Sequence, residues 1–70
     1  MSNVHSKQYQ SFLVKLRQAR FSSKLTQVEV AQKLGKPQSF VSKCESGERR
    51  VDFTELQAFA KLYGKPLSSF

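Results

Sequence analysis

Apolar residues recur at helical spacing in four stretches of this chain, and polar turn signals separate them. From Ser6 to Ser22, Tyr9, Phe12, Leu13, Leu16 and Ala19 fall three and four apart, while Lys7, Lys15, Arg17 and Gln18 lie elsewhere on the wheel. This stripe predicts an amphipathic first helix. Arg20 follows Leu16 by four residues, on the edge of the stripe, where a guanidinium is costly unless it is paired. A carboxylate is therefore expected nearby. Thr26 and Glu29 have the spacing of a capping box, in which the threonine oxygen accepts a first-turn N–H and the glutamate reaches back to the cap N–H. A second helix then begins at Gln27, with Val30, Ala31 and Leu34 as its inner stripe, Leu25 just ahead of the cap and Gly35 at its end.

Pro37 presets the backbone for a helix start, so a third helix is expected from Gln38 to Ser46, stopping at Gly47. Stepping about 100° per residue puts Val41 and Cys44 on one side, with Phe40 at the border. Gln38, Ser39, Ser42, Lys43 and Ser46 fall on the other side, a face without an acidic residue. Glu45 falls beside Val41, close to the core, and is the natural partner for Arg20. Asp52 and Glu55 repeat the cap logic, and Phe53, Leu56, Phe59, Ala60 and Tyr63 make the stripe of a fourth helix closed by Gly64. Pro66 restarts a short turn, after which Leu67 and Phe70 pack back on the bundle or against a second copy. Nothing alternates as a strand would. The reading is an all-α bundle of four to five helices over residues 6–70, with residues 1–5 a short polar, disordered end.

Composition narrows the class of function. Seventy residues make one domain with a single core and little room for a deep catalytic cavity. Twelve Lys and Arg against five Asp and Glu leave a formal charge of +7, which favours a polyanionic partner, nucleic acid ahead of an anionic membrane surface. No apolar run approaches the roughly 20 residues of a spanning helix, and nothing at the N-terminus has the apolar core of a secretory signal. With one cysteine and one histidine, the chain offers no intramolecular disulfide and no metal-ligand or nucleophile–base constellation. A cytoplasmic binding module without cofactor or enzymatic activity is expected. Cys44 reads as a small buried hydrophobe.

The run LTQVEVAQKLGKPQSFVSKCESGERR, preceded by LRQAR and followed by an amphipathic helix ending in LYG, closely resembles the phage-repressor and Cro-like helix-turn-helix family of bacterial DNA-binding domains. Its specific marks are the LTQ opening of helix 2, the alanine and glycine spaced across the turn, the QS that begins helix 3 and the S-x-x-E-x-G that closes it. The resemblance implies a lambda-repressor-like fold in which helices 2 and 3 form the helix-turn-helix, and a homodimer that binds operators to control transcription. By motif, Gln27 resembles the family's phosphate-clamping glutamine, Gln38 and Ser39 its base-reading pair, and Lys43 a further base-facing position. Ser42 and Ser46 are similar to positions that touch bases or backbone, and Arg20 with Glu45 match the family's buried ion pair. The chain departs from the pattern at Cys44, where an aromatic is common, at Pro37, where a Ser or Thr cap is common, and at Lys24, where glycine is usual before LTQ.

These residue types suit the implied task. A glutamine can satisfy adenine N6 and N7 together and a lysine can donate to guanine O6 and N7, each good pairing discriminating by about 1–3 kcal/mol. Gln38 and Lys43 are such groups, short serines allow close approach, and Phe40, leaning outward, would meet a thymine methyl. Phosphates would be held by Gln27, Lys36, Ser46, Arg49 and Arg50, although two arginines in a loop are equally compatible with simple solvation. The function expected is therefore a sequence-specific duplex-DNA-binding regulator, a repressor, with Tyr63, Leu67 and Phe70 at the dimer surface. The alternative is an antitoxin or other protein-interaction module on the same fold, with a co-encoded protein partner.

Overall fold

The computed structural model describes residues 6–70 and contains four α-helices followed by one 3-10 turn, with no strand among the described residues. The segment read as a disordered N-terminal end, residues 1–5, lies outside the described residues. Helix α1 spans Lys7–Ser22, α2 Gln27–Leu34, α3 Gln38–Ser46 and α4 Phe53–Tyr63, and the 3-10 turn is Leu67–Ser69.

Local chemistry accounts for where each helix begins. The Ser6 hydroxyl accepts the Tyr9 N–H at 3.1 Å, relieving one of the donors that the first turn of α1 leaves unpaired. Both capping boxes are complete: Thr26 and Glu29 exchange hydrogen bonds of 3.1 and 2.8 Å, and Asp52 and Glu55 bonds of 2.7 and 3.0 Å. Pro37 caps α3 without a side-chain hydrogen bond, its φ of −65° doing the work of entry.

Four faces meet in one core. Leu13, Leu16 and Ala19 of α1, Val30 and Ala31 of α2, Val41 and Cys44 of α3, and Phe59, Ala60 and Tyr63 of α4 are all buried. Phe59, fully enclosed, contributes about 1.5–3 kcal/mol through burial alone. Ala31 is small and 3% exposed, which lets α2 and α3 pack closely across their short turn.

One residue of the fourth stripe is exposed against the pattern, and one that the pattern places in that stripe is enclosed rather than at a dimer surface. Phe53, placed in the buried stripe of the fourth helix, is 65% exposed. It is the first residue of α4, ahead of the point at Phe59 where that helix enters the core. Tyr63, expected at a dimer surface, is only 6% exposed and belongs to the core, its ring stacked on Phe59 with centroids 6.0 Å apart. The 3.6-residue period that puts it in line with Phe59 also turns it inward.

Candidate nucleic-acid interface

The outward face of α3 carries Gln38, Ser39, Ser42 and Lys43, all exposed. Lys43 Nζ lies 4.0 Å from a Glu48 carboxylate oxygen with both side chains more than half exposed, a pairing too solvated to hold the lysine in place. Ser46 is also exposed, but its hydroxyl is engaged locally, donating to the Lys43 carbonyl and accepting the Glu48 N–H, each at 3.2 Å.

Behind that face a polar hub fixes the helix. Arg20 of α1 donates from Nε to Glu45 Oε2 at 2.7 Å and from its terminal nitrogen to Oε1 at 3.0 Å, with a further bond to the Leu25 carbonyl at 3.1 Å. Glu45 Oε1 also accepts from Gln27 Nε2 at 3.0 Å, so α1 and the first residue of α2 share one carboxylate of α3. Arg17, one turn before Arg20, donates to the Glu45 backbone carbonyl at 2.8 Å. A cation there offsets the partial negative charge at the end of α3. Its spacing of three from Arg20 was a signal that would have marked it in the sequence, where it reads instead as part of the solvated face.

Phe40 does not lean outward. Its ring is half-buried and lies nearly parallel to Phe59, at 8° with centroids 6.2 Å apart, so its expected contact with a thymine methyl is replaced by a supporting role. Two cations rest on it: Lys36 Nζ at 5.4 Å and the Arg49 guanidinium carbon at 4.9 Å from the centroid. Arg49 is tied further to Glu55, with an N–O distance of 2.7 Å, and donates to the Arg50 carbonyl at 3.2 Å. The guanidinium beside it holds the Glu55 carboxyl below the usual carboxylate range, with the Asp52 N–H assisting. No local signal marks this cross-loop pairing, because Glu55 is already explained by its capping box. Arg50 stacks on the Tyr9 ring at 4.8 Å, and the Tyr9 hydroxyl accepts the Val51 N–H at 3.0 Å.

The three residues expected at a dimer surface are divided by the fold. Tyr63 is in the core, Phe70 is half-buried with its ring edge-on to Phe12 at 6.3 Å, and Leu67 remains 39% exposed.

A short helix and its successor joined by a tight turn, with the second helix displaying an acid-free polar face and braced by a buried ion pair, define a DNA-binding helix-turn-helix domain. A helix-turn-helix family model matches residues 16–70, and the chain belongs to the phage-repressor and Cro-like helix-turn-helix family. Neither the comparison with curated proteins nor that with solved structures finds a match. No helix among the described residues is long and apolar enough to cross a membrane.

Proposed function

We propose that this protein is a sequence-specific transcriptional regulator that binds duplex DNA as a homodimer, laying α3 in the major groove and repressing by occupying its operator. The observation that carries the reading is the division of α3. Gln38, Ser39, Ser42 and Lys43 are presented together on an exposed face, while Glu45 on the opposite side is held by Arg20, Gln27 and Arg17. In this reading Gln38 and Lys43 recognise base edges and the two serines permit close approach. Gln27, Lys36, Ser46, Arg49 and Arg50 hold phosphates, supplying affinity and register. Phe40 serves by steadying Lys36 and Arg49. Leu67, with the exposed edge of Phe70, is the apolar surface left for a second copy.

Selection of binding sites from a random DNA pool tests this directly. The expected product is an inverted repeat whose half-sites lie about one helical turn, roughly 34 Å, apart. On that duplex Gln38→Ala relaxes base preference, whereas Arg49→Ala weakens all sequences alike and flattens the salt dependence. Equal losses on selected and random DNA for both variants would contradict the reading.

A further inference from the structure

Three helices of this domain end in the same hydrogen-bonded turn, and one of those turns is built on a lysine. After α2, the Gly35 N–H bonds the Gln32 carbonyl at 3.2 Å and the Lys36 N–H bonds Ala31 at 2.9 Å. After α4, Gly64 bonds Lys61 at 3.2 Å and Lys65 bonds Ala60 at 3.0 Å. After α1, Lys24 bonds Phe21 at 2.9 Å and Leu25 bonds Arg20 at 3.4 Å. The corresponding φ angles are +68° for Gly35, +65° for Gly64 and +58° for Lys24. Glycine takes this left-handed conformation without penalty and asparagine tolerates it, whereas a lysine is strained there. Lys24 is the single non-glycine residue with positive φ among the described residues.

That strain is spent on a side chain with no partner among the described residues. Lys24 is exposed and, among the described residues, its side chain makes no hydrogen bond, ion pair or ring contact. It lines an open groove together with Gln27 and Gln38, walled by Phe21, Leu25 and Val28, and no carboxylate lines that groove. The neighbouring cation, Arg20, is turned inward onto Glu45, which leaves Lys24 as the free positive charge among the described residues that line the groove. A strained residue persists where the surrounding structure over-determines it, and such residues cluster at functional positions.

We propose that Lys24 is a DNA-backbone contact, holding a phosphate at the entrance to α2 beside the strand that Gln27 clamps. The assignment rests on the proposed DNA-binding reading and adds to it a site that the helix-turn-helix itself does not contain. An ammonium on a flexible stem carries no base preference, so its contribution is to affinity and register, through release of a counterion.

The test compares the parent with Lys24→Gly, Lys24→Asn, Lys24→Arg and, as a charge-matched control on α4, Lys61→Gln. Binding to the selected operator and to a random duplex is titrated by fluorescence anisotropy over a range of salt, and thermal melting is recorded in parallel. Lys24→Gly and Lys24→Asn are expected to melt at or above the parent temperature, because glycine and asparagine tolerate the left-handed backbone. They bind both duplexes about five- to tenfold more weakly near 0.1 M salt, with a log–log salt slope shallower by about one. Lys24→Arg keeps the parent slope and Lys61→Gln stays close to parent affinity. Parent-like affinity and slope in Lys24→Gly and Lys24→Asn overturn the assignment, as does an equal loss in Lys61→Gln, which would make the effect one of net charge. A parent protein that binds no duplex overturns the DNA-binding reading along with it, so the two failures are distinguishable.

Discussion

Arg20 and Glu45 meet fork to fork across the core, at 2.7 and 3.0 Å, with side chains only 11% and 3% exposed. The pair joins the last turn of α1 to α3. Because the carboxylate also accepts from Gln27, its removal would release two helices at once.

Breaking the pair from one side is expected to be costly. Arg20→Met leaves a buried carboxylate without its cation and should destabilise the domain by about 3–5 kcal/mol. Arg20→Met combined with Glu45→Leu replaces both charges by apolar volume and should recover most of that loss. Urea denaturation of the two single variants and the double variant measures the cycle, and a single-variant cost below about 1 kcal/mol would argue against a structural role for the pair.

Tyr63 carries a buried hydroxyl without a hydrogen-bond partner among the described residues. Burial pushes its phenol well above the ordinary tyrosine value, so it stays neutral throughout the working range. An unpaired buried hydroxyl costs about 1–3 kcal/mol. Tyr63→Phe should therefore hold or raise the melting temperature, a gain of about 1 kcal/mol corresponding to roughly 4–8 °C in a domain of this size. A clear drop would mean that the hydroxyl has a partner in solution.

Cys44 is fully enclosed, and burial raises its thiol pKa, opposed in part by Arg49. The thiolate is the reactive form, so native protein near neutral pH should resist alkylation and label fast only after denaturant is added. Rapid labelling of the folded protein would show that α3 opens locally.

The Arg49–Glu55 contact predicts a specific acid response. Glu55 is depressed in the folded state, so its contribution to stability is present above the ordinary carboxylate value and is lost as pH falls through the lower folded one. Below about pH 4 the parent should lose melting temperature faster than Glu55→Gln, which keeps a capping oxygen but has no charge to titrate. Parallel melting curves across that range would remove the pairing from the stability account.

Much of the molecule is legible from local rules. The cap residues Thr26, Glu29, Asp52 and Glu55 specify their helix starts because a capping box involves only residues three apart. The stripes of α1 and α2 follow from a period that each helix imposes on itself. Even the Arg20–Glu45 pairing can be anticipated, since each residue sits on the edge of an apolar face where a lone charge is untenable.

What local rules leave open is the fate of residues at the border of a face, and neighbouring helices decide it. Phe40 could turn either way on its own helix, and the position of Phe59 on α4 draws it inward. Tyr63 and Phe53 lie on one stripe, yet one is enclosed and the other exposed, because only the later turns of α4 meet the core. The sharing of Glu45 by Gln27 and Arg17 depends on how α1, α2 and α3 are placed against one another. Sequence by itself determined the helices, their caps and the polar face of α3, all set by interactions within a few residues. Tertiary structure alone decided which side chains support that face and which stay exposed, because burial and long-range hydrogen bonds exist only once the helices have packed.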